Sequence, residues 1–418
     1  MKNSLKFDYP NVLQNIFDKL DKKKIKSIII GGFVRDFFLN IESTDIDIEL
    51  YGVTSFKELE AILEEFGSIK SVGKSFGVYK LSLKDLEIDF TLPRIDSKIS
   101  SGHRGFKIHI DENLDFKTAT SRRDFTINAI GYDTQDKIIL DPFNGQNDLN
   151  AKILRAVDVK KFVEDPLRVL RAIQFASRFN LTLDKQLFSL CKDMCDKNIL
   201  KELAKERILE ELKKLLLKSK KPSYGFKILK EINGLKYLTP LHELDENRFN
   251  EVLSALDNFV KLKTDSKEIY TFLSLAILCH KFNAIQTAQF IKNLTDEKIL
   301  LKDILTFNGI IFKDKYSDSQ LFKLAVDVNI ELFLIYKESL DSNIEKIVFS
   351  DLKNRAKELN ILNKKASPLL QGRDILALGI KPSKEYKKIL EDAYQAQMDL
   401  KIKTTSQADK WLKDYLRA

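Results

Sequence analysis

Gly31-Gly32-Phe33-Val34-Arg35-Asp36, with Asp45-Ile46-Asp47 following after a short gap, is the stretch from which the fold can be read. Residues 25–30, Ile-Lys-Ser-Ile-Ile-Ile, read as a buried strand because β-branched apolar side chains fill them. Residues 33–39 read as a short helix, which puts the two glycines at a strand-to-helix turn. Glycine lets backbone approach a ligand closely, and free N–H groups at a helix start attract an anion. Residues 45–51 read as a second strand. Period two places Asp45 and Asp47 on one face and Ile46, Ile48 and Leu50 on the other. A phosphate cradle beside paired carboxylates suits a nucleoside triphosphate and its divalent metal. The plainer alternative is a tight turn and a solvated edge strand.

Working outward, residues 1–24 predict a short amphipathic helix carrying Val12, Ile16 and Leu20. Residues 55–66 predict another helix, and three strands are expected at 69–72, 76–83 and 86–92. Together these make a small mixed sheet with helices on it. Asp89 sits inside the last of these strands, as an edge-exposed acid or as a third carboxylate near Asp45 and Asp47. Residues 93–115 are polar and read as a mobile loop. In Ser121-Arg122-Arg123-Asp124-Phe125-Thr126-Ile127-Asn128-Ala129, the spacing predicts a helix beginning with two arginines. Arginine there opposes the helix dipole, so a phosphate chain or a structural salt bridge must favour it.

The turn-rich run 141–149 is taken as the first domain boundary, and everything beyond it reads helical. In Glu164-Asp165-Pro166-Leu167-Arg168, Asp165 is a natural N-cap with Pro166 in the first helical position. Asp165, Arg168, Arg171 and Gln174 then form a polar stripe. It is either the polar side of an ordinary amphipathic helix or an acceptor and donor pair able to read a base edge. A long helical pattern over 199–231 carries Lys213, Lys214, Lys218, Lys220 and Lys221. The net charge of +9 suits a polyanionic partner without requiring one. The chain has three cysteines, too few for a disulfide framework, and no run of 18 apolar residues, so no membrane span is expected. The N-terminal segment has no apolar signal core, and a cytoplasmic location is expected.

In order and in combination, these motifs resemble the class II tRNA nucleotidyltransferases and bacterial poly(A) polymerases. The carrying residues are Gly31 to Asp36 with Asp45-x-Asp47, Arg122 to Ala129, Asp141 to Leu149 and Glu164 to Arg168. Residues 370–382, with Gly372-Arg373-Asp374 and Gly379-Ile380-Lys381-Pro382, look like the family's tRNA-binding tail, whereas 240–365 match weakly. The resemblance implies an α+β, polymerase-β-like nucleotidyltransferase head over 1–150, in which helices cover a small mixed sheet. A helical neck (151–235), body (236–365) and tail (366–418) follow. It implies template-independent addition of CCA to the tRNA 3′ end from CTP and ATP, with pyrophosphate released and no membrane partner. Contact is expected along the tRNA acceptor arm. Asp45 and Asp47 would hold Mg²⁺, with Asp89 as a possible third catalytic acid. Gly32, Arg35 and Arg123 would hold the triphosphate, while Asp165 and Arg168, supported by Arg171, would read the base.

Some residues depart from the family pattern. Gln174 stands where an arginine is usual, and Lys281 replaces the metal-binding Asp of a degenerate HD-like motif at Leu278-Cys279-His280-Lys281. Lys381-Pro382-Ser383-Lys384 replaces a Pro-Gly-rich turn. Ser75 interrupts the paired basic residues expected of a poly(A) polymerase in 72–76. A poly(A) polymerase, or an enzyme adding only CC or only A, remains the alternative.

Overall fold

The computed structural model describes residues 7–71, 78–83, 86–98, 106–111, 114–262, 266–341, 344–378, 380 and 384–417. Segments 72–76, 379 and 381–383, and parts of the 93–115 run (99–105 and 112–113), lie outside the described residues. The chain forms two compact units, Met1–Tyr237 and Leu238–Ala418.

The first unit opens with α1 (Val12–Lys22), β1 (Lys26–Ile30), α2 (Gly32–Phe38), β2 (Asp45–Tyr51) and α3 (Phe56–Glu64). β3 (Ser68–Ser71), β4 (Val78–Leu83), β5 (Leu86–Thr91), β6 (Arg94–Lys98) and β7 (Phe106–Ile110) follow. After α4 (Phe116–Thr120), β8 (Gly131–Asp133) and β9 (Ile138–Leu140) complete a seven-stranded sheet among the described residues, in the order β3-β4-β5-β2-β1-β8-β9. Only the β2–β5 pair in this sheet is parallel, and it sets Asp45 opposite Glu87 and Asp47 opposite Asp89. Burial alternates over Asp45–Ile48 of β2, whereas β1 is buried on both faces. Ile46, Ile48 and Leu50 are fully buried, as are Ile29, Ile30, Ile88 and Phe90. Each such side chain contributes about 1.5–3 kcal/mol by leaving water.

The remaining α-helices of this unit among the described residues are α5 (Gly145–Asn150), α6 (Val159–Phe162), α7 (Leu167–Phe179), α8 (Lys185–Asp196), α9 (Lys205–Lys218) and α10 (Pro222–Glu231). α7 packs against α9 and α10, with Val169, Ala172, Ile173 and Ala176 buried. The second unit is helical: α11 (Glu246–Phe259), α12 (Lys267–Cys279), α13 (Ala284–Lys292), α14 (Lys298–Gly309), α15 (Asp318–Asp327), α16 (Ile330–Leu340) and α17 (Lys346–Glu358). It ends with α18 (Gly372–Leu376), α19 (Lys384–Met398) and α20 (Thr405–Tyr415). Among the described residues, no helix is long and apolar enough to cross a membrane.

Three local expectations are corrected. Residues 93–115 contain the β6–β7 antiparallel hairpin rather than a loop, with Arg94 opposite Ile110. The alternation Phe106-Lys107-Ile108-His109-Ile110 is the strand signal that the polar composition of the segment obscured. Arg122 and Arg123 do not start a helix. They lie in the turn that follows α4, where the Arg123 N–H donates to the Thr120 carbonyl at 2.9 Å. Asp124 stops a helix forming there: its carboxylate accepts from the Phe125 N–H (2.8 Å) and from Asn128 Nδ2 (3.0 Å). Such local side-chain bonds compete with the helix ladder, and only a 3₁₀ turn at Thr126–Asn128 survives. Finally, the long helix over 199–231 is broken into α9 and α10, with Pro222 opening α10.

Candidate active site

The carboxylate face of β2 is the base of the site. Asp45 is exposed, Asp47 half-buried and Glu49 fully buried, all on the face opposite Ile46 and Ile48. Glu49 anchors the arginine turn: Oε1 meets Arg122 Nη2 at 3.3 Å, and Oε2 accepts from the Tyr51 hydroxyl at 2.6 Å. Burial pushes the Asp47 carboxyl up; Arg123 opposes that shift, while Asp45 and Asp89 reinforce it. Asp89 lies on the neighbouring strand, but both its oxygens accept from Lys80 Nζ at 2.9 Å. Among the described residues, no three His, Cys, Asp or Glu side chains gather as a metal-holding group. The structure therefore presents Asp45 and Asp47 as the candidate pair and gives Asp89 a lysine partner.

Gly31 adopts φ +77°, and a Cβ there would lie 2.5 Å from Arg123 Nη1. The glycine thus provides both the turn and the space for the guanidinium. Arg123 Nε is buried with no hydrogen-bond partner among the described residues. Desolvation, with Arg122 adjacent, pushes its pKa down, while Glu49, Asp47 and Asp124 oppose that shift. Gly32 opens α2 beside it and is half-buried. Arg35, expected on the same phosphate, is sealed inside at 4% exposure. Its Nε donates to Asp36 (2.8 Å), its Nη1 donates to Asn128 Oδ1 (2.6 Å), and its guanidinium lies over the rings of Phe175 (5.2 Å) and Phe179 (4.6 Å). It braces α2 against α7 and does not line the cavity described next.

Beside this turn lies a cavity of about 380 Å³. Asp47, Thr91, Arg94, Arg122, Arg123 and Asp124 line one side, and Asp165, Leu167, Arg168, Arg171 and Arg207 the other. Six arginines against three aspartates make it strongly positive, as an anion site requires. Asp124 connects the two sides. Its Oδ2 accepts from Arg171 Nε at 2.7 Å, and Nη2 of the same guanidinium lies at 2.6 Å. Burial alone would raise its carboxyl, but Arg171, Asn128 and Arg168 bring it below the usual carboxylate range.

Asp165 sits one residue before the assigned cap of α7, and its carboxylate accepts from the Leu167 N–H at 3.1 Å. Arg168 donates to two main-chain carbonyls, Lys161 at 2.9 Å and Arg122 at 2.7 Å. The structure thus brings together Asp47, Arg123, Asp165, Arg168 and Arg171 around one cavity. Gln174 is 2% exposed and is not a wall of it. Glu49, Asp124 and Arg207 were not singled out from the sequence. Glu49 continues the Asp45-Asp47 alternation and was readable from it, whereas Arg207 carries no local signal.

The chain matches the family described as Poly A polymerase head domain over residues 27–155, and the one described as Probable RNA and SrmB- binding site of polymerase A over 180–245. It is 34% identical to a CCA-adding enzyme of Blochmanniella floridana over 294 residues, 66% of this chain and 67% of that one. A multifunctional CCA protein of Neisseria meningitidis serogroup C is 34% identical over 216 residues, 52% of this chain. The chain spans about half the length of several such curated relatives, at 49–50%. The fold is similar to that of a Bacillus stearothermophilus CCA-adding enzyme in complex with CTP, with a TM-score of 0.77, 20% identity and 98% of each chain covered. Aligned with a relative across two thirds of that relative's length, the chain belongs to the CCA-adding enzyme and poly(A) polymerase family.

Proposed function

We propose that this chain adds cytidine and adenosine to the 3′ end of tRNA without a nucleic-acid template, using CTP and ATP and releasing pyrophosphate. The observation that carries the reading is the cavity in which a metal-type carboxylate (Asp47), a desolvated arginine (Arg123) and a donor–acceptor pair (Arg168, Asp165) share walls. In its favour, CCA-adding enzymes stand among the chain's relatives, and a similar fold is known in complex with CTP.

Asp45 and Asp47 fit a hard divalent cation, Mg²⁺ in our reading. Burial is the main reason the Asp47 carboxyl is pushed up, with Asp45 and Asp89 adding to it, and a cation held by the pair would offset both the burial of the charge and that repulsion. When bound, such a cation supplies the Lewis acidity that activates the primer 3′ hydroxyl and offsets charge on the departing pyrophosphate. Arg123 and the Gly31-Gly32 turn hold the triphosphate. Asp165 and Arg168 read the base edge, and Arg171, fixed by Asp124, supports them. Arg35 holds α2 against α7 so that the turn keeps its place. We read 1–150 as the head, 151–235 as the neck, 236–365 as the body and 366–418 as a tRNA-binding tail, in a cytoplasmic enzyme.

A second reading, poly(A) polymerase, is favoured by the two matching family descriptions, both of which name polymerase A. Three tRNA substrates distinguish them, ending before the first C, after one C and after both, each supplied with labelled CTP or ATP. CMP is expected on the first two and AMP on the third, and none of this with Asp45→Ala. Addition of one nucleotide type only, or long A tails on unrelated RNA, overturns the CCA reading.

A further inference from the structure

Asp165 and Arg168 lie three residues apart at the start of one helix, where opposite charges ordinarily pair with each other. Here they do not. Arg168 is drawn to the carbonyls of Lys161 and Arg122. Asp165 is drawn to Arg207 on α9, whose Nη2 lies 3.4 and 3.3 Å from its two oxygens. Side-chain exposures of 29% and 26% make this a weak contributor to stability. What it changes is geometry. With Arg207 in place, Asp165 and Arg168 both line the cavity while each is held by its own partners, so the acceptor and the donor stay separate.

Resting on the function proposed above, we propose that Arg207 is a positioning residue that keeps the base-reading pair from neutralising itself and so sets discrimination against UTP and GTP. Cytosine and adenine both present an exocyclic amino donor beside a ring-nitrogen acceptor. Uracil and guanine present a carbonyl oxygen beside a ring N–H. A carboxylate held as an acceptor favours the amino bases and repels the carbonyl oxygen. Without Arg207, Asp165 keeps only the Leu167 N–H among the described contacts and is free to swing onto Arg168. The pair then closes, and the reader loses its polarity.

The test is single-nucleotide incorporation on primer tRNAs by the wild-type chain, Arg207→Met and Arg207→Lys, with folding checked by thermal melting. Arg207→Met is expected to lower the kcat/KM ratios of CTP over UTP and ATP over GTP by about tenfold or more. Arg207→Lys is expected to restore part of that ratio, because a cation still holds the carboxylate. Equal losses for all four nucleotides, with ratios unchanged, would overturn the inference and make Arg207 a phosphate or packing residue. A wild-type chain that incorporates neither CMP nor AMP would instead remove the parent reading.

Discussion

Two polar concavities among the described residues differ in size and in how their charges are arranged. In the second unit, α11, the residues after α12 and the end of α16 line a groove of about 700 Å³, with Asn247, Asn250, Ser254 and Asn258 on one helix face. Its opposite charges are already matched, since Lys281 pairs with Glu251. His280, the remainder of the HD-like motif, is pushed down to about 4 by burial, so its imidazole is neutral at physiological pH. The cavity of the first unit is about half that size, yet it concentrates like charges that do not cancel. Volume therefore says little about chemistry. A site shows itself where folding holds charges apart at a cost in stability, as it does for Asp47 and Arg123.

The strongest way to break this contrast is Asp47→Asn. Nucleotide incorporation is expected to fall by about 10³-fold. Because the folded-state pKa of Asp47 is raised, ionisation above the ordinary carboxylate range weakens the fold. The same substitution should therefore leave the melting temperature at pH 7 unchanged or higher. A fall in melting temperature together with retained incorporation would reverse the assignment. Asp124→Asn tests the opposite sign. This carboxylate's pKa is lowered, so its stabilising contribution is complete at neutral pH and disappears only in acid below the usual carboxylate range. Removing its charge leaves the Arg171 guanidinium with only the longer Glu211 contact, 3.9 Å away, as an ion pair among the described residues, and urea unfolding should report a loss of about 3 kcal/mol. A loss within about 0.5 kcal/mol would show the pair to be solvated.

The smallest effect belongs to the second unit. His280 has a lowered pKa, so the unfolded chain takes up its proton first as pH falls from about 6.5 to about 4. Stability should decline across that window by an amount on the order of 2 kcal/mol, read from urea midpoints at pH 7 and pH 4.5. His280→Gln should flatten that component. An identical pH dependence in both proteins would assign the acid sensitivity to other groups.

Much of this was legible in the sequence for local reasons. The consecutive isoleucines of β1 marked a strand buried on both faces, the Asp45–Ile48 alternation of β2 separated a carboxylate face from a core face, and Gly31 marked a turn. The fate of Arg35 was not legible, because the rings of Phe175 and Phe179 that cover it lie far along the chain. Arg122 and Arg123 were misassigned to a helix because a helix-like run gave no weight to the bonds made by the Asp124 side chain. Arg207 resembles any surface arginine of an amphipathic helix until the packing of α9 on α7 brings it to Asp165.

The contacts that build the cavity also span long stretches of sequence. Arg207 and Asp165 are 42 positions apart, Arg168 and the Arg122 carbonyl 46, Arg171 and Asp124 47, and Arg122 and Glu49 73. Each requires closure of a long loop, which is entropically costly and kinetically slow. During synthesis, a ribosome-bound chain exposes the two β2 carboxylates long before α9 has emerged. The cavity's full set of walls, Arg207 included, therefore exists only once α9 has docked on α7.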